Sequence, residues 1–355
     1  MPIKPPSGVS IHNKSKAQKG FTLLAPIRKP TAYLIDMQGN PVHRWKLGRG
    51  GINHAMLLDN GNLFIAQHGD GGPPLMAGKG GLLREYDWDG KVVWEHYDEM
   101  QHHDARRLKN GNAIYIAWEP LPKKLHRRVK GGLPGSEAPD GHIYGDVIRE
   151  VNPSGDIVWE WRSSELEIED YPIVPLWNRE EFAHANTVAP MPNGDLLVSF
   201  RVINTIVIID KKTRKVKWEM RDERFGGQHD CHMLPNRKIL VFANGQLTGW
   251  EHPHSRIVEI DPKTKKWGWQ YRAERGLDFF SPHISGAQRL PNGNTLICEG
   301  GHGRLFEVTR EGKIVWQFVN PHHSPHPVLG EHNWVFRAYR YTADSKQIRR
   351  RAKQS

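Results

Sequence analysis

The stretch REVNPSGDIVW at residues 149–159 is typical of a β-hairpin. Apolar and polar residues alternate on both sides of a Pro-Ser-Gly turn, and the second strand ends in tryptophan. The same pattern occurs six times along the 355-residue chain, at intervals of 49 to 65 residues, so the fold is predicted to be a repeat. We expect each tryptophan to bury apolar surface where neighbouring units stack. The six copies end at Trp45, Trp94, Trp159, Trp218, Trp267 and Trp316.

A second hairpin precedes five of these six copies. Its turn is Asn-Gly or a close variant, which favours hairpins because both turn residues tolerate positive φ. Each unit therefore holds four strands, and the sequence predicts an all-β, six-bladed β-propeller. A right-handed β-helix is the alternative fold, but its period would be shorter. The five turns lie at residues 58–62, 108–112, 191–195, 234–238 and 290–294.

The first tryptophan hairpin lacks an internal partner. Residues 20–25 and 335–341 have strand patterns, and we expect them to complete this blade and so close the ring. The predicted domain is residues 20–341, after an extension at 1–19 expected to be poorly ordered and before a basic tail at 342–355. Two loops, 69–81 and 118–145, interrupt the repeat. They could cover one mouth of the propeller, or they could be loops without a fixed packing role.

The net charge of +11 favours anionic partners. The basic runs at 123–130 and 349–351 lack interleaved aromatic residues, so a small anionic, aromatic substrate is expected rather than nucleic acid. No apolar run approaches the ~20 residues of a membrane span, and we expect no membrane partner. The first residues show no secretory signal, which predicts a cytoplasmic protein. Cys231 and Cys298 are expected to be buried and unpaired. The sequence does not predict the oligomeric state.

Histidine recurs before the Asn turns, where the innermost strand of each blade should line the axis. Offsets of seven or nine residues from the turn Asn share parity, which places such side chains on one face of a strand. We therefore predict a shared central site. The offset is seven for His103 and His229 and nine for His184 and His283; His54, His102 and His232 occur in the same strand entries.

Two chemistries suit such a ring of histidines. One is a divalent transition metal bound by neutral imidazoles. The other uses one imidazole as nucleophile or base while its neighbours stabilise negative charge, and it needs no cofactor. Arg201 follows an apolar strand, and a cation there favours the anionic chemistry. In the metal alternative the ligands would be His54, His103, His184, His229 and His283.

Four segments resemble the bacterial aryl sulfate sulfotransferases and their arylsulfotransferase-like relatives. They are residues 182–210, 225–236, 241–245 and 332–341, and the similarity extends over most of residues 20–341. The resemblance implies a six-bladed propeller that transfers a sulfuryl group between phenols in two steps. It also implies that His229 is the transiently sulfated histidine. The supporting residues would be His184, Arg201 and His103, or its neighbour His102.

The best-known members of this family are exported, carry an N-terminal β-sandwich and hold a disulfide, none of which this sequence suggests. The leading hypothesis is a sulfotransferase that acts through a sulfohistidine at the propeller axis. One alternative is a metal-dependent lyase, hydrolase or oxidase, and another is a non-catalytic binding propeller. The residues assigned to substrate binding are His54, His102, His232, His283 and Asn204.

Overall fold

The computed structural model describes residues 6–48, 51–74, 77–246, 252–326 and 328–349. These residues form 27 strands, one short α-helix and five 3-10 turns. The first strands are β1 (Gly8–His12), β2 (Phe21–Pro26), β3 (Thr31–Ile35), β4 (Pro41–Lys46), β5 (Ile52–Leu57), β6 (Leu63–His68), β7 (Gly81–Tyr86), β8 (Val92–Tyr97), β9 (Gln101–Arg107), β10 (Ala113–Pro120), β11 (Tyr144–Val151), β12 (Ile157–Arg162), β13 (Ala185–Pro190) and β14 (Leu196–Phe200). The remainder are β15 (Thr205–Ile209), β16 (Val216–Arg221), β17 (His229–Met233), β18 (Ile239–Ala243), β19 (Arg256–Asp261), β20 (Lys266–Tyr271), β21 (Gly286–Arg289), β22 (Thr295–Glu299), β23 (Arg304–Val308), β24 (Ile314–Val319), β25 (Ser324–His326), β26 (Gly330–His332) and β27 (Val335–Tyr341). The helix is α1 (Lys123–His126), and the 3-10 turns are Ser163–Glu165, Ile168–Asp170, Glu223–Phe225, Gly276–Asp278 and Gly300–His302.

The strands form a six-bladed β-propeller, as the sequence predicts. Each blade is an antiparallel sheet whose strands follow one another from the axis outwards: β5–β8 in the second blade, then β9–β12, β13–β16, β17–β20 and β21–β24. Strands β25 and β26 form a separate hairpin that leads into β27. The inner strands β5, β9, β13, β17 and β21 lie where the sequence analysis expected them.

The ring is closed at the first blade, whose order is β27-β2-β3-β4. Phe21 lies opposite Tyr341, so the predicted pairing of the two ends is confirmed. A second contact between the two ends of the chain was not predicted. Within the extension expected to be poorly ordered, Gly8–His12 forms β1 and pairs with β24 on the outside of the sixth blade. Both edges at the seam are therefore covered.

The outer-strand tryptophans connect neighbouring blades. One indole N–H of each blade donates to a turn carbonyl of the next blade, and the series is continuous around the ring. In the fifth blade the donor is Trp269 and not the predicted Trp267, whose ring stacks on Phe225. Of the six predicted tryptophans, Trp45 and Trp316 are fully buried, and the others are half-buried. The bonds are Trp45 to Asp87, Trp94 to Pro153, Trp159 to Lys211, Trp218 to Pro262, Trp269 to Arg310 and Trp316 to Met37.

The core is divided among the interfaces between blades. Ile116 and Val198 belong to the apolar cluster between the third and fourth blades, and Leu24 and Leu305 to that between the sixth and first. Cys231 and Cys298 are both buried and free, as expected. Within the described residues, no helix is long and apolar enough to cross a membrane.

Candidate functional site

The inner strands are interrupted by bulges at their histidines. The strand register shifts between Ile52 and His54 in β5, and corresponding shifts occur at the starts of β9, β13 and β17. His103, His184 and Asp230 have positive φ values of 50°, 52° and 53°. Such values are uncommon for residues other than glycine and cost about 1–3 kcal/mol each. At these bulges the rings of His103 and His184 come together, with centroids 4.7 Å apart, at the mouth of the axial channel, whereas Asp230 pairs with Arg337 on the axis.

His229, the first residue of β17, is 1% exposed. Its Nδ1 lies 3.0 Å from the carbonyl oxygen of Gly227 and 2.8 Å from Oδ1 of Asn244. Both partners are acceptors, so Nδ1 carries the proton and Nε2 keeps the lone pair. Burial, and then the positive charge of Arg201, hold the pKa of His229 well below its usual value. His229 is therefore a neutral imidazole with a defined tautomer.

Asn244 is oriented by its own amide group. Its Nδ2 donates to the carbonyl oxygens of Ser281 at 2.8 Å and Ile284 at 3.1 Å. Those two bonds leave only Oδ1 to face His229, so the amide acts as an acceptor there. The tautomer of His229 thus depends on a residue in the loop after β18 and on the segment before β21.

His184 precedes β13 and is held by a buried carboxylate. Its Nδ1 lies 2.8 Å from Oε2 of Glu181, which also accepts the indole N–H of Trp118 at 2.8 Å. Burial raises the pKa of Glu181, but the adjacent His184 outweighs it, and the net shift is downward. Glu181 is therefore an ionised acceptor that fixes the ring of His184.

His103, rather than His102, faces the group around His229. The ring centroids of His103 and His184 are 4.7 Å apart. Burial, then His184, His102, His229 and Arg201, hold the pKa of His103 well below its usual value. His102 lies behind it, stacked on Trp118 at 4.2 Å, and burial lowers its pKa to about 3.

The glycine-rich loop before β7 reaches this mouth. The backbone N–H of His103 donates to the carbonyl oxygen of Gly78 at 2.9 Å. Gly78 has a φ of 81°, and a Cβ there would lie 2.0 Å from the His103 ring. Only glycine allows the backbone to lie so close to the imidazole. Of the two possibilities for this loop, the described part covers the mouth.

Arg201 is half-buried, and its guanidinium has no acidic partner among the described residues. Its Cζ lies 3.9 Å from the ring centre of Trp177. It makes no hydrogen bond or ion pair with a described residue, and its buried Nε is unpartnered. Burial lowers its pKa to about 9, which leaves it cationic at neutral pH. A partly buried cation without an ion-pair partner is unfavourable, and an anionic ligand would offset that cost.

A cavity of about 250 Å³ opens beside Arg201 and His184, with Trp177, Leu176 and Val202 on its apolar side. Two larger clefts, of about 680 and 670 Å³, lie between outer strands and contain none of the predicted site residues. The cavity combines an apolar wall and the cation of Arg201 with the carboxyl groups of Glu180 and Glu181, so an aromatic anion would fit only on the side of Arg201 and Trp177.

A second polar network fills the axis below the mouth. Arg337 of β27 lies 3.0 Å from Oδ1 of Asp104 and 3.1 Å from Oδ1 of Asp230, and it also bonds Thr187 of β13. One arginine of the closing strand therefore connects three other blades. The ion pairs neutralise carboxylates that adjoin His103 and His229 in sequence.

Two of the predicted substrate-binding histidines belong to this axial network. Nε2 of His54 lies 2.9 Å from the Tyr339 hydroxyl, and its Nδ1 lies 3.4 Å from Asp104. Nδ1 of His232 lies 3.2 Å from the carbonyl oxygen of Asp230. Neither ring contacts Arg201, so the structure does not bring them to the cavity.

His283 and Asn204 lie to the side of the cavity. His283 packs against Trp334 with ring centroids 4.5 Å apart. Oδ1 of Asn204 accepts the N–H of Gly227 at 2.8 Å and so fixes the turn that precedes His229. The structure thus brings together His103, His184, His229 and Arg201, with His102 against His103, and it places His54 and His232 apart from them in the axial network.

The five alternative metal ligands do not share one centre. His54 lies in the axial network, His283 beside Trp334, and the other three at the mouth. Among the described residues no group of three or more His, Cys, Asp or Glu side chains could hold a metal ion.

A family model described as arylsulfotransferase matches residues 54–321, which include every member of the cluster at the mouth. The chain belongs to the arylsulfotransferase family. The expected family relationship is therefore confirmed. Two curated relatives, both arylsulfate sulfotransferases named AssT, support it over shorter segments. The protein from Escherichia coli O6:H1 is 35% identical over 91 residues, and that from Lelliottia amnigena is 36% identical over 99. These segments cover 23% and 24% of this chain but only 15% and 17% of the relatives.

Solved structures agree with the fold of this arylsulfotransferase family member. A Bacteroides caccae protein of unknown function matches with a TM-score of 0.56 at 14% identity, covering 90% of this chain and 98% of that one. A streptogramin B lyase matches with a TM-score of 0.51 at 11% identity, covering 90% and 84%. At such low identity these likenesses concern the architecture alone.

Several functional side chains were missed by the sequence analysis. Asn244 lies in one of the segments that carry the family resemblance, but nothing in that segment shows what its side chain contacts. Glu181 lies three residues before His184, a spacing that could have indicated it. Trp177 and Arg337 reach the site through contacts between distant parts of the chain, which no local pattern shows.

Proposed function

We propose that this protein is an aryl sulfate sulfotransferase that transfers a sulfuryl group from an aryl sulfate to a phenol through a sulfohistidine at His229. Membership of the family supports sulfotransferase activity. The observation that carries the mechanism is a neutral His229, with its lone pair on Nε2, that feels the charge of a half-buried Arg201 without an acidic partner.

In the first step, Nε2 of His229 attacks the sulfur atom. The N–S bond forms, the S–O bond to the aryl group breaks, and the phenolate leaves with the bond electrons. The sulfated ring keeps its Nδ1 proton and carries a positive charge, which the Asn244 oxygen stabilises. Arg201 holds the sulfuryl oxygens, and its planar group can contact two of them at once.

In the second step, the oxygen of an acceptor phenol attacks the same sulfur atom. The N–S bond breaks, its electrons return to Nε2, and the phenolic proton passes to a nearby base or to water. His103 and His184 lie beside the reacting group and stabilise the charge that develops on it. The ring of the donor or acceptor packs on the apolar side of the cavity near Trp177.

The direct test is His229→Asn, assayed with 4-nitrophenyl sulfate and phenol. Release of 4-nitrophenol should be abolished, because asparagine cannot form the covalent intermediate. Wild-type protein treated with donor alone should gain the mass of one sulfuryl group, located on His229 by peptide mapping. His12→Asn, on the outer strand β1, is the matched control and should keep full activity. Turnover that survives His229→Asn would contradict the proposal.

A further inference from the structure

Three histidines and a tryptophan form a second cluster at the same mouth, which we call the rim cluster: His283, His326, His332 and Trp334. The hairpin β25–β26 carries two of the histidines. The ring of Trp334 lies 4.5 Å from that of His283, 5.2 Å from that of His326 and 4.3 Å from that of His332. This cluster is not part of the cavity at Arg201.

Hydrogen bonds fix the tautomers of two of these histidines. Nδ1 of His326 accepts the backbone N–H groups of Val328 at 3.2 Å and Leu329 at 3.1 Å. Nδ1 of His332 accepts the N–H of Trp334 at 3.3 Å. An imidazole that accepts at Nδ1 carries its proton on Nε2, so both rings present N–H donors. Donors of this kind bind anions and cannot coordinate a metal through Nε2.

Two of the imidazole nitrogens in the rim cluster are buried without a partner. His332 is 5% exposed, and its Nε2 makes no hydrogen bond to a described residue. The same holds for Nε2 of His283. A buried polar group that lacks a partner costs about 1–3 kcal/mol, so two in one cluster indicate a missing ligand.

The permanent charges that act on the cluster, those of Arg28, Lys29 and Arg201, are positive. After burial, the groups that most lower the pKa of His332, to about 4, are Arg28, His326, His323 and Lys29. For His283 the corresponding groups are Arg201, His302, His332 and His326. The nearest carboxylate in sequence, Glu331, alternates with His332 along β26, and its side chain is exposed. The surroundings therefore favour an anion over a cation.

The rim cluster is joined to the site at His229 through Asn244. The amide nitrogen of Asn244 donates to the carbonyl oxygens of Ser281 and Ile284, which flank His283, while its oxygen accepts from His229. The charge of Arg201 also acts on His283. One extended molecule could therefore contact both places.

We propose that the rim cluster is a second anion site, which binds an additional carboxylate or sulfate group of the substrate while the reacting sulfuryl group lies between His229 and Arg201. The preferred substrates would then be acidic phenols and their sulfates, not neutral phenols. That the cluster binds an anion is inferred from the cluster alone. That this anion is a group of the substrate rests on the proposed function.

Equilibrium dialysis of the full chain with radiolabelled inorganic sulfate tests the site itself. Wild-type protein should bind two sulfate ions, and Arg201→Ala should remove one of them. The double variant His326→Phe/His332→Phe keeps the rings packed on Trp334 but removes the donors, and it should lose the other. His12→Phe should keep both. A single sulfate in the wild type that the double variant retains, two in the double variant, or one equivalent of Zn²⁺ bound at the cluster would each overturn the proposal.

Kinetics test the assignment to the substrate. With the carboxylated donors 4-sulfooxybenzoate and 4-sulfooxycinnamate, the double variant should raise KM about tenfold for the better-fitting donor. With 4-nitrophenyl sulfate, KM should change less than twofold. Equal changes for all donors would overturn the assignment. If wild-type protein turns over no aryl sulfate, the proposed function fails, and the dialysis result still decides whether the second anion site exists.

Discussion

Oδ1 of Asn244 lies 2.8 Å from Nδ1 of His229, and the asparagine is held in that orientation by the two bonds that its own amide nitrogen makes. The reactive nitrogen of the histidine is therefore selected by a side chain that need not touch the substrate. A residue of this kind positions the nucleophile, and its loss should affect the rate more than binding.

Asn244→Ala should lower kcat about five- to tenfold, the effect of one lost hydrogen bond, and leave KM nearly unchanged. The decrease is moderate because the carbonyl oxygen of Gly227 still accepts from His229. Steady-state kinetics with 4-nitrophenyl sulfate would measure it. Asn193→Ala, in an exposed turn, is the control. An Asn244→Ala protein with normal kcat would show that the tautomer does not depend on this contact.

Activity should fall even when Arg201 is replaced by another basic residue. Arg201→Lys keeps a positive charge but loses the planar fork, so kcat/KM should fall about tenfold; Arg201→Ala should lower it about 10²- to 10³-fold. Arg224→Lys offers a comparison, because Arg224 also stacks on a tryptophan, Trp267, but lies away from the mouth. Equal activity of Arg201→Lys and wild type would argue against two-point binding of the sulfuryl oxygens.

Arg337 should contribute more to stability than a surface ion pair does. Arg337→Ala leaves Asp230 buried without its cation, while Asp104 keeps only its pair with Arg106, and this should cost about 3–5 kcal/mol of unfolding free energy. Arg84→Ala, which breaks the exposed pair with Glu95, should cost less than about 1 kcal/mol. Urea denaturation compares the two. Similar losses for both variants would contradict a special role for the axial network.

The repeat of hairpins was predictable because hairpins are specified by local patterns, and closure of the ring at the first blade followed from the repeat. Turn residues and alternating apolar residues specify hairpins wherever they occur, and the unpartnered first hairpin required strands from both ends. Strand β1 was missed because it is short, with only Val9 and Ile11 as apolar residues, and because its partner β24 lies about 300 residues away in the sequence. In the fifth blade Trp269, and not Trp267, donates the hydrogen bond to the next blade. Which of the two indoles faces that blade depends on tertiary packing, which the sequence pattern does not show.

The candidate site was predictable only in part. Parity along the inner strands assumes uninterrupted strands, whereas β9, β13 and β17 are bulged at their histidines. The bulges separate His54 and His232, which join the axial network, from His103, His184 and His229, which meet at the mouth. Backbone distortions of this kind arise from packing around the axis, so a residue count cannot show them.

Acid should destabilise the protein well before its carboxylates titrate. His54, His103 and His229 are buried, and their pKa values are held well below 6.5. Below pH 6.5 the unfolded chain binds protons that the folded chain does not, so the free energy of unfolding falls as pH falls. Each such histidine should contribute up to about 1.4 kcal/mol per pH unit. Urea unfolding at pH 7, 6 and 5 measures the slope. A stability that is constant over this range would mean that these rings are protonated in the folded state.

The pH dependence of the reaction rate should reflect the lowered pKa of His229. The nucleophile is the unprotonated ring, and its lowered pKa means that this form persists below the usual titration range of histidine. With 4-nitrophenyl sulfate, kcat/KM should therefore stay level as pH falls through 6.5 and decline only at lower pH. Asn244→Asp places a carboxylate beside Nδ1, which raises the pKa of the ring, and should move the decline to higher pH. Activity regained after return to pH 7 separates titration from acid unfolding.

A wild-type decline of kcat/KM centred at pH 6.5 would mean that burial and Arg201 do not lower the pKa of His229. A decline that Asn244→Asp does not move would mean that another group titrates.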